Sequence, residues 1–238
     1  MAKVTELLAD LAGDAFLQTT KVTSVEKLSP SFVRISIQDD GFRSTQWTPG
    51  TKLQLRPNRG TLSLRTYTPT HWDTDLGSTD LLAYAHGDGP AARWFTQVAV
   101  DDACEVLGPR RSIDLSKARG RLVFVGDESS VGLACALRTV NTRVRHVFEA
   151  SDPAELTTLL STLGFEDNST IVEKSTDRKE LIDKSRAAAD SDNTPFGLIA
   201  SGDAATVHAL RRAERGWQRR ADSIAAKAYW ARGRTGLD

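Results

Sequence analysis

Residues 62–70 read LSLRTYTPT, and residues 81–95 read LLAYAHGDGPAARWF. The first stretch is a strand by its alternation. Leu62, Leu64 and Thr66 share one face, and Ser63, Arg65 and Tyr67 share the other. With the leucines turned into a barrel, Arg65 and Tyr67 project together from its outside. A guanidinium fork two residues from a phenol suits a ligand with a phosphate at one end and a flat ring at the other. Pro69 ends the strand and holds Thr68 extended. The second stretch begins as a strand and passes through His86, Gly87, Asp88 and Gly89 to Pro90, a residue favoured at the first helical position. The amides of Ala91 and Ala92 at that helix start offer a pyrophosphate site, while Trp94, Phe95 and Val98 form the apolar stripe. Taken singly, a Gly-Pro helix start is an ordinary turn and Arg65–Thr68 an ordinary strand. Their order and spacing point to one anionic, aromatic ligand.

Upstream of these stretches the pattern is strand-rich. Val33, Ile35 and Ile37 alternate with polar residues up to the break at Asp40-Gly41. Leu53 and Leu55 alternate with Lys52, Gln54 and Arg56 after the turn signal Trp47-Thr48-Pro49-Gly50. From residue 121 the pattern changes. Leu122-Val123-Phe124-Val125 is a continuous apolar run, as in a parallel strand buried on both faces. Five strands alternating with four helices follow, the pattern of a doubly wound α/β domain. The expected architecture is an antiparallel six-stranded β-barrel over residues 1–117 and a doubly wound parallel sheet over 118–238, with the linker near 116–120.

The bulk numbers narrow the function. Lys+Arg and Asp+Glu are equal in number, so the formal charge is zero and general nucleic-acid binding is disfavoured. Residues 1–16 read as an acidic amphipathic helix rather than a signal peptide, and no apolar run approaches membrane-span length, so a cytoplasmic chain without a membrane partner is expected. The two cysteines, Cys104 and Cys135, read as buried free thiols and cannot hold an iron–sulfur cluster. The four histidines are dispersed, no metal-ligand spacing occurs, and the fingerprint GxGxxG is absent. For Asp127 and Glu128, and for the turn Ser201-Gly202-Asp203, helix capping is the alternative to a ligand role.

The sequence resembles the siderophore-interacting protein family, FAD-dependent ferric-siderophore reductases of the ferredoxin–NADP reductase superfamily. The resemblance is carried by Arg65-Thr66-Tyr67-Thr68, by His86 to Trp94, by Gly108-Pro109-Arg110-Arg111, by Gly126-Asp127-Glu128, and by Tyr229-Trp230 with Gly233. It implies FAD, with Arg65 on its phosphates, Tyr67 packed on the isoalloxazine and Thr68 near the reactive edge. It also implies a pyrophosphate cradle after Gly89, a reduced nicotinamide facing Asp127 and Glu128, and a Trp230 end that returns to the flavin. Thr70 stands where the family often has a second arginine, and Ala92 where a hydroxyl is common. Lys227 and Arg232 flank the Tyr229-Trp230 end, and with Lys52, Arg110 and Arg111 they would draw in a bulky anionic ferric siderophore. Electrons would pass from NAD(P)H or reduced ferredoxin through FAD to ferric iron, with no catalytic acid, base or nucleophile and no resident metal. A monomer is expected. The alternatives are a general NAD(P)H:flavin or ferredoxin-type reductase, and a flavin-binding protein with little turnover.

Overall fold

A computed structural model describes residues 17–56, 64–115 and 118–233. The expected helix over residues 1–16, together with Leu62, Ser63 and Arg234, lies outside them. The chain divides into two compact units between Arg111 and Ser112.

The first unit is an antiparallel sheet of β1 (Gln18–Lys27), β2 (Phe32–Gln38), β3 (Lys52–Arg56), β4 (Arg65–Tyr67), β5 (Pro69–Asp73), β6 (Ser78–Tyr84) and β7 (Ala103–Arg110), with helix α1 (Pro90–Gln97) between the last two. The strand order is β4-β3-β7-β1-β2-β6-β5. The terminal strands β4 and β5 are separated in sequence by Thr68 alone, so the two edges are tied together and the sheet closes on itself. Residues 65–73 thus act as one strand bent at Thr68-Pro69, and six strands surround the barrel, as the sequence predicts. Pro69 does not simply end the strand. It ends the pairing with β3 and opens the pairing with β6, at a first strand position where its missing N–H costs no ladder bond. Val33, Ile35, Ile37, Leu53 and Leu55 all point into the core, which also holds Trp94 and Phe95 of α1 and Val98 just after it. Each such full burial contributes roughly 1.5–3 kcal/mol against chain entropy.

The second unit is a parallel sheet in the order β10-β9-β8-β11-β12. Its strands are β8 (Arg121–Asp127), β9 (Val144–Ala150), β10 (Ser169–Glu173), β11 (Phe196–Asp203) and β12 (Ser223–Trp230). Between them run α2 (Val131–Arg138), α3 (Pro153–Thr162), α4 (Lys179–Ala189) and α5 (Ala204–Glu214). Every residue of β8 and β11 is buried, which accounts for their unbroken apolar runs. Val123, Val125, Val147, Leu198 and Ala200 pack with Leu181 of α4 and Val207 and Leu210 of α5 on one face. Helices α2 and α3 take the other face, as right-handed crossovers demand when the strand order reverses. Buried Arg121 closes the end of α4 by donating to the carbonyls of Ala188 and Ala189 at 2.9 and 2.6 Å. The chain runs β8-β9-β10 to one side and β11-β12 to the other, so the topological switch point lies between β8 and β11.

Candidate functional site

In the first unit, β4 pairs with β3 through Leu53 opposite Tyr67 and Leu55 opposite Arg65. Here one expectation is corrected. Thr66 is exposed rather than facing the barrel with the leucines, and Tyr67 packs against the core. The reason is α1, whose Phe95 meets the Tyr67 ring edge-on at 5.2 Å and covers that face of the strand. Burial pushes the Tyr67 phenol far above its usual range, with the Arg65 charge pulling the other way. The Arg65 guanidinium bends back along its strand, donating from Nη1 to the Leu64 carbonyl at 3.1 Å. Thr68 is buried at the bend. Thr70 donates its hydroxyl to the Asp80 carbonyl at 3.2 Å, so this position belongs to the β5–β6 ladder.

The Tyr67–Phe95 contact brings β4 and α1 together. Ahead of the helix, His86 to Pro90 are exposed, and Gly87 takes a left-handed φ of 67°. His86 stacks on Tyr84 at 4.3 Å. Gly89 is the N-cap and offers no side chain to the first turn, and Pro90 follows at N1. The Arg93 amide reaches the Gly89 carbonyl at 3.0 Å, so Ala91 and Ala92 carry the first-turn amides that an α-helix leaves without an internal acceptor. The Arg93 side chain folds back onto the Asp88 carbonyl. A Cβ at Gly87 or Gly89 would meet nothing within 4 Å, so a ligand can approach this backbone closely. Trp94 is turned into the barrel core against Phe95 and holds the helix in place. An uncapped helix start, with an arginine and a phenol ring on the same unit, fits the pyrophosphate and flat ring of FAD.

In the second unit, the carboxyl ends of all five strands bring chemistry together. Asp127 ends β8, and its Oδ1 accepts from the Ser129 amide at 3.0 Å and the Ser129 hydroxyl at 2.5 Å. Its Oδ2 accepts from the Asp203 amide at 3.2 Å and from Trp230 Nε1 at 2.7 Å. Capping is therefore one of its roles, and bridging the switch point is another. Ser201 donates to Ser130 across the same crevice at 2.8 Å. Glu128 accepts from the Ser151 amide at 2.6 Å and pairs with Lys174 at 2.5 Å. Asp203 caps α5 through the Thr206 amide at 3.2 Å and pairs with Arg178 at 3.1 Å. Thr206 Oγ1 donates to Glu149 at 2.7 Å. Burial raises the carboxyl pKa of both Asp127 and Glu149, opposed at Asp127 chiefly by the Lys174 charge and at Glu149 chiefly by the Thr206 hydrogen bond. A cavity of about 740 Å³ opens beside these groups, lined by Glu149, Lys174, Arg178, Thr206, Trp230 and Arg232 among others.

Sequence reading named Asp127, Glu128 and Trp230 and missed Glu149, Lys174 and Arg178. The signal available for the missed residues was position: each closes or follows a strand at the carboxyl edge of a parallel sheet, where ligands bind. Of the proposed cationic residues, Lys52 and Arg110 stand opposite each other in the β3–β7 pairing, with Arg111 exposed beside them. Arg232 lines the cavity with Trp230, whereas Lys227 sits in the middle of β12 opposite Ser201.

Comparisons with known proteins bear on both units. Residues 45–113 match the model of the siderophore-interacting FAD-binding domain. No curated protein matches the chain by sequence. Among solved structures, the siderophore-interacting protein from Acinetobacter baumannii superposes with a TM-score of 0.70 at 20% identity over 91% of each chain. The siderophore-interacting protein from Aeromonas hydrophila gives 0.70 at 18% identity over 92% of each chain. A ferredoxin NADP+ reductase from Neisseria gonorrhoeae, with bound FAD and NADP, gives 0.69 at 15% identity over 90% of this chain and 99% of that one. Segment 45–113 is thus similar to the siderophore-interacting FAD-binding domain, and the chain has the two-domain fold seen in siderophore-interacting proteins and ferredoxin–NADP+ reductases.

Proposed function

We propose that the chain is an FAD-dependent reductase that passes electrons from NAD(P)H or reduced ferredoxin to a ferric siderophore and releases Fe(II). The observation that carries this reading is the uncapped, exposed start of α1, a helix whose Phe95 packs against Tyr67 of β4, inside the segment that matches the FAD-binding model. FAD, when bound, accepts an electron pair and gives up electrons singly, which links a two-electron donor to one-electron reduction of iron. The chain's own groups bind and orient. The amides of Ala91 and Ala92 and the Arg65 guanidinium hold phosphate, with Gly87 and Gly89 leaving the backbone open. Tyr67 supplies a flat surface whose hydroxyl stays protonated, and His86, Asp88, Pro90, Thr66 and Thr68 shape the rest of the wall. Residues 1–117 form the FAD-binding domain on this reading. Residues 118–238 receive the donor around Asp127, Glu128 and Trp230.

Ferric iron is held in siderophores by hard oxygen ligands, and Fe(II) binds such ligands more weakly, so reduction frees the metal. Lys52, Arg110, Arg111, Lys227 and Arg232 attract the anionic chelate. No helix among the described residues is long and apolar enough to cross a membrane.

The flavin spectrum tests this reading. A yellow protein bleached by NADH, NADPH or reduced ferredoxin and restored by ferric chelate is the expected result. A colourless protein that cannot be reconstituted with FAD removes it, and one that is bleached yet not restored by any ferric chelate is a general flavin reductase instead.

A further inference from the structure

The parallel sheet borders a second cavity, of about 280 Å³, beside the first residues of its strands rather than their carboxyl ends. Leu122 of β8, Ile199 of β11, and Ser223 and Ala225 of β12 line it, with Ser112 and Ile113 of the segment that enters the unit. The cavity follows from how the helices are shared out. Among the described residues α2 packs chiefly on β8 and α3 on β9 and β10, which leaves that face of β11 and β12 without a helix. The strands there also carry small side chains. Gly197 pairs with Leu122 on one side and Ser223 on the other. A Cβ at Gly197 would stand 2.9 Å from Leu122 Cδ2 and from Ser223 Oγ, so both side chains lean over the glycine on one face. Ile199 and Ala225, two residues further along, share that face. The entering segment is fastened near its end by Asn141, whose Nδ2 donates to the Ala118 and Gly120 carbonyls at 2.9 and 3.0 Å.

Size, polarity and charge define what fits. Ser112 Oγ is buried and has no hydrogen-bond partner among the described residues. A buried hydroxyl in that condition is unfavourable, and a ligand group that bonds to it removes the deficit. Ile113, Leu122, Ile199 and Ala225 make the surrounding wall apolar. No lysine, arginine or histidine is among the described lining residues, and Asp114 is the one ionisable side chain there. An anion entering the cavity would give up its hydration and find no countercharge. An apolar cavity of about 150 Å³ takes a benzene molecule, so this one has room for roughly ten non-hydrogen atoms. That is far short of a flavin or a dinucleotide.

We propose that this cavity binds a small neutral amphiphile, a single ring or short branched chain with one hydroxyl or carbonyl hydrogen-bonded to Ser112. It shares no described lining residue with the cavity at the carboxyl edge, and it does not depend on the reductase reading.

Three probes test it: p-cresol, toluene and 4-methylbenzoate, which present the same methyl-substituted ring with a hydroxyl, with nothing, or with a carboxylate. Each is titrated against the whole chain, supplied with FAD, by saturation-transfer NMR. p-Cresol is expected to bind with a Kd of about 1 mM or tighter, and 4-methylbenzoate at least about tenfold more weakly. Ser112→Ala is expected to weaken p-cresol about fivefold and to leave toluene within about twofold, a split that general loosening of the fold would not produce. Ala225→Leu fills the space and is expected to abolish binding of both; should it fail to fold, Ser112→Ala decides alone. The proposal is overturned by absence of p-cresol binding, by 4-methylbenzoate binding as tightly, or by an unchanged p-cresol affinity in Ser112→Ala. It is equally overturned if p-cresol perturbs the flavin absorption at the same midpoint in all three proteins, since the phenol then stacks on the cofactor.

Discussion

Trp230 Nε1 donates to Asp127 Oδ2 over 2.7 Å, tying the end of β12 to the end of β8 although β11 lies between them. The buried carboxylate collects donors from three segments, because the same oxygen also accepts from the Asp203 amide and the other serves the Ser129 turn. The last strand of the sheet is therefore fastened at its carboxyl end by a side chain as well as by the β11 ladder.

Removing that fastening should be measurable. Trp230→Phe keeps an aromatic ring beside Lys174 and deletes the indole donor, leaving Asp127 one charge-assisted bond short in a buried site. The expected loss is about 1–3 kcal/mol of unfolding free energy, read from urea denaturation at constant m-value. An unchanged denaturation midpoint would show that the bond contributes nothing net.

Two glycines should respond differently to the same change. At Gly202, with φ of 108°, an added Cβ would lie 2.6 Å from the Asp127 carboxyl group, and that group cannot withdraw without breaking its hydrogen bonds. Gly202→Ala should cost upwards of about 3 kcal/mol by combining overpacking with backbone strain. At Gly87, with φ of 67°, the added Cβ meets nothing, so Gly87→Ala should cost roughly 1–2 kcal/mol from backbone alone. Equilibrium denaturation of both variants checks the contrast; similar losses would contradict the packing argument.

The contrast between these sites also shows what the sequence makes legible. Alternation at Val33–Ile37 and the unbroken run of β8 disclosed both sheets, because each records burial on one face or on two. Gly87, Gly89 and Pro90 were readable as a helix start because a cap is a local event within a few residues. The face of Tyr67 was not readable, because α1 covers it from almost thirty positions downstream. The cluster of Glu149, Lys174 and Arg178 was hidden for the same reason. Parallel strands bring their ends together through pairings that no short-range pattern records, and Lys174 beside Glu128 is a contact across 46 positions.

Acid should weaken the second unit through His146. Its ring is buried among Phe124, Phe148 and Phe165. Burial lowers its pKa from 6.5 to about 4, opposed in part by hydrogen bonding with the Asn168 backbone, and the Arg138 charge adds a smaller lowering. Above pH 6.5 the residue is neutral whether the chain is folded or unfolded. Between 6.5 and 4 the unfolded chain takes up the proton and the folded one does not, so stability falls with pH by up to about 3 kcal/mol. His146→Phe, which suits the aromatic surroundings, should flatten this part of the curve. Urea midpoints at pH 7 and 4.5 for both proteins provide the check, and an equally steep loss in the variant would assign it to other groups.

The start of α1 allows a test in which helix stability and ligand binding move in opposite directions. The first turn of this helix contains no acidic residue, and its N-cap Gly89 contributes no side-chain acceptor. Placing a carboxylate there, by Ala92→Glu, should favour the helix by about 0.3–1 kcal/mol through interaction with the macrodipole. If the amides of Ala91 and Ala92 instead await a pyrophosphate, the same negative charge competes with it and repels it. The variant should therefore unfold at equal or higher denaturant concentration without flavin, yet bind FAD at least about tenfold more weakly. Ala92→Gln is the control: it adds similar bulk without charge and should retain most of the affinity. Fluorescence titration with FAD measures both variants. Equal weakening by Glu and Gln would indicate steric obstruction, and undiminished binding by both would place the phosphates away from this helix.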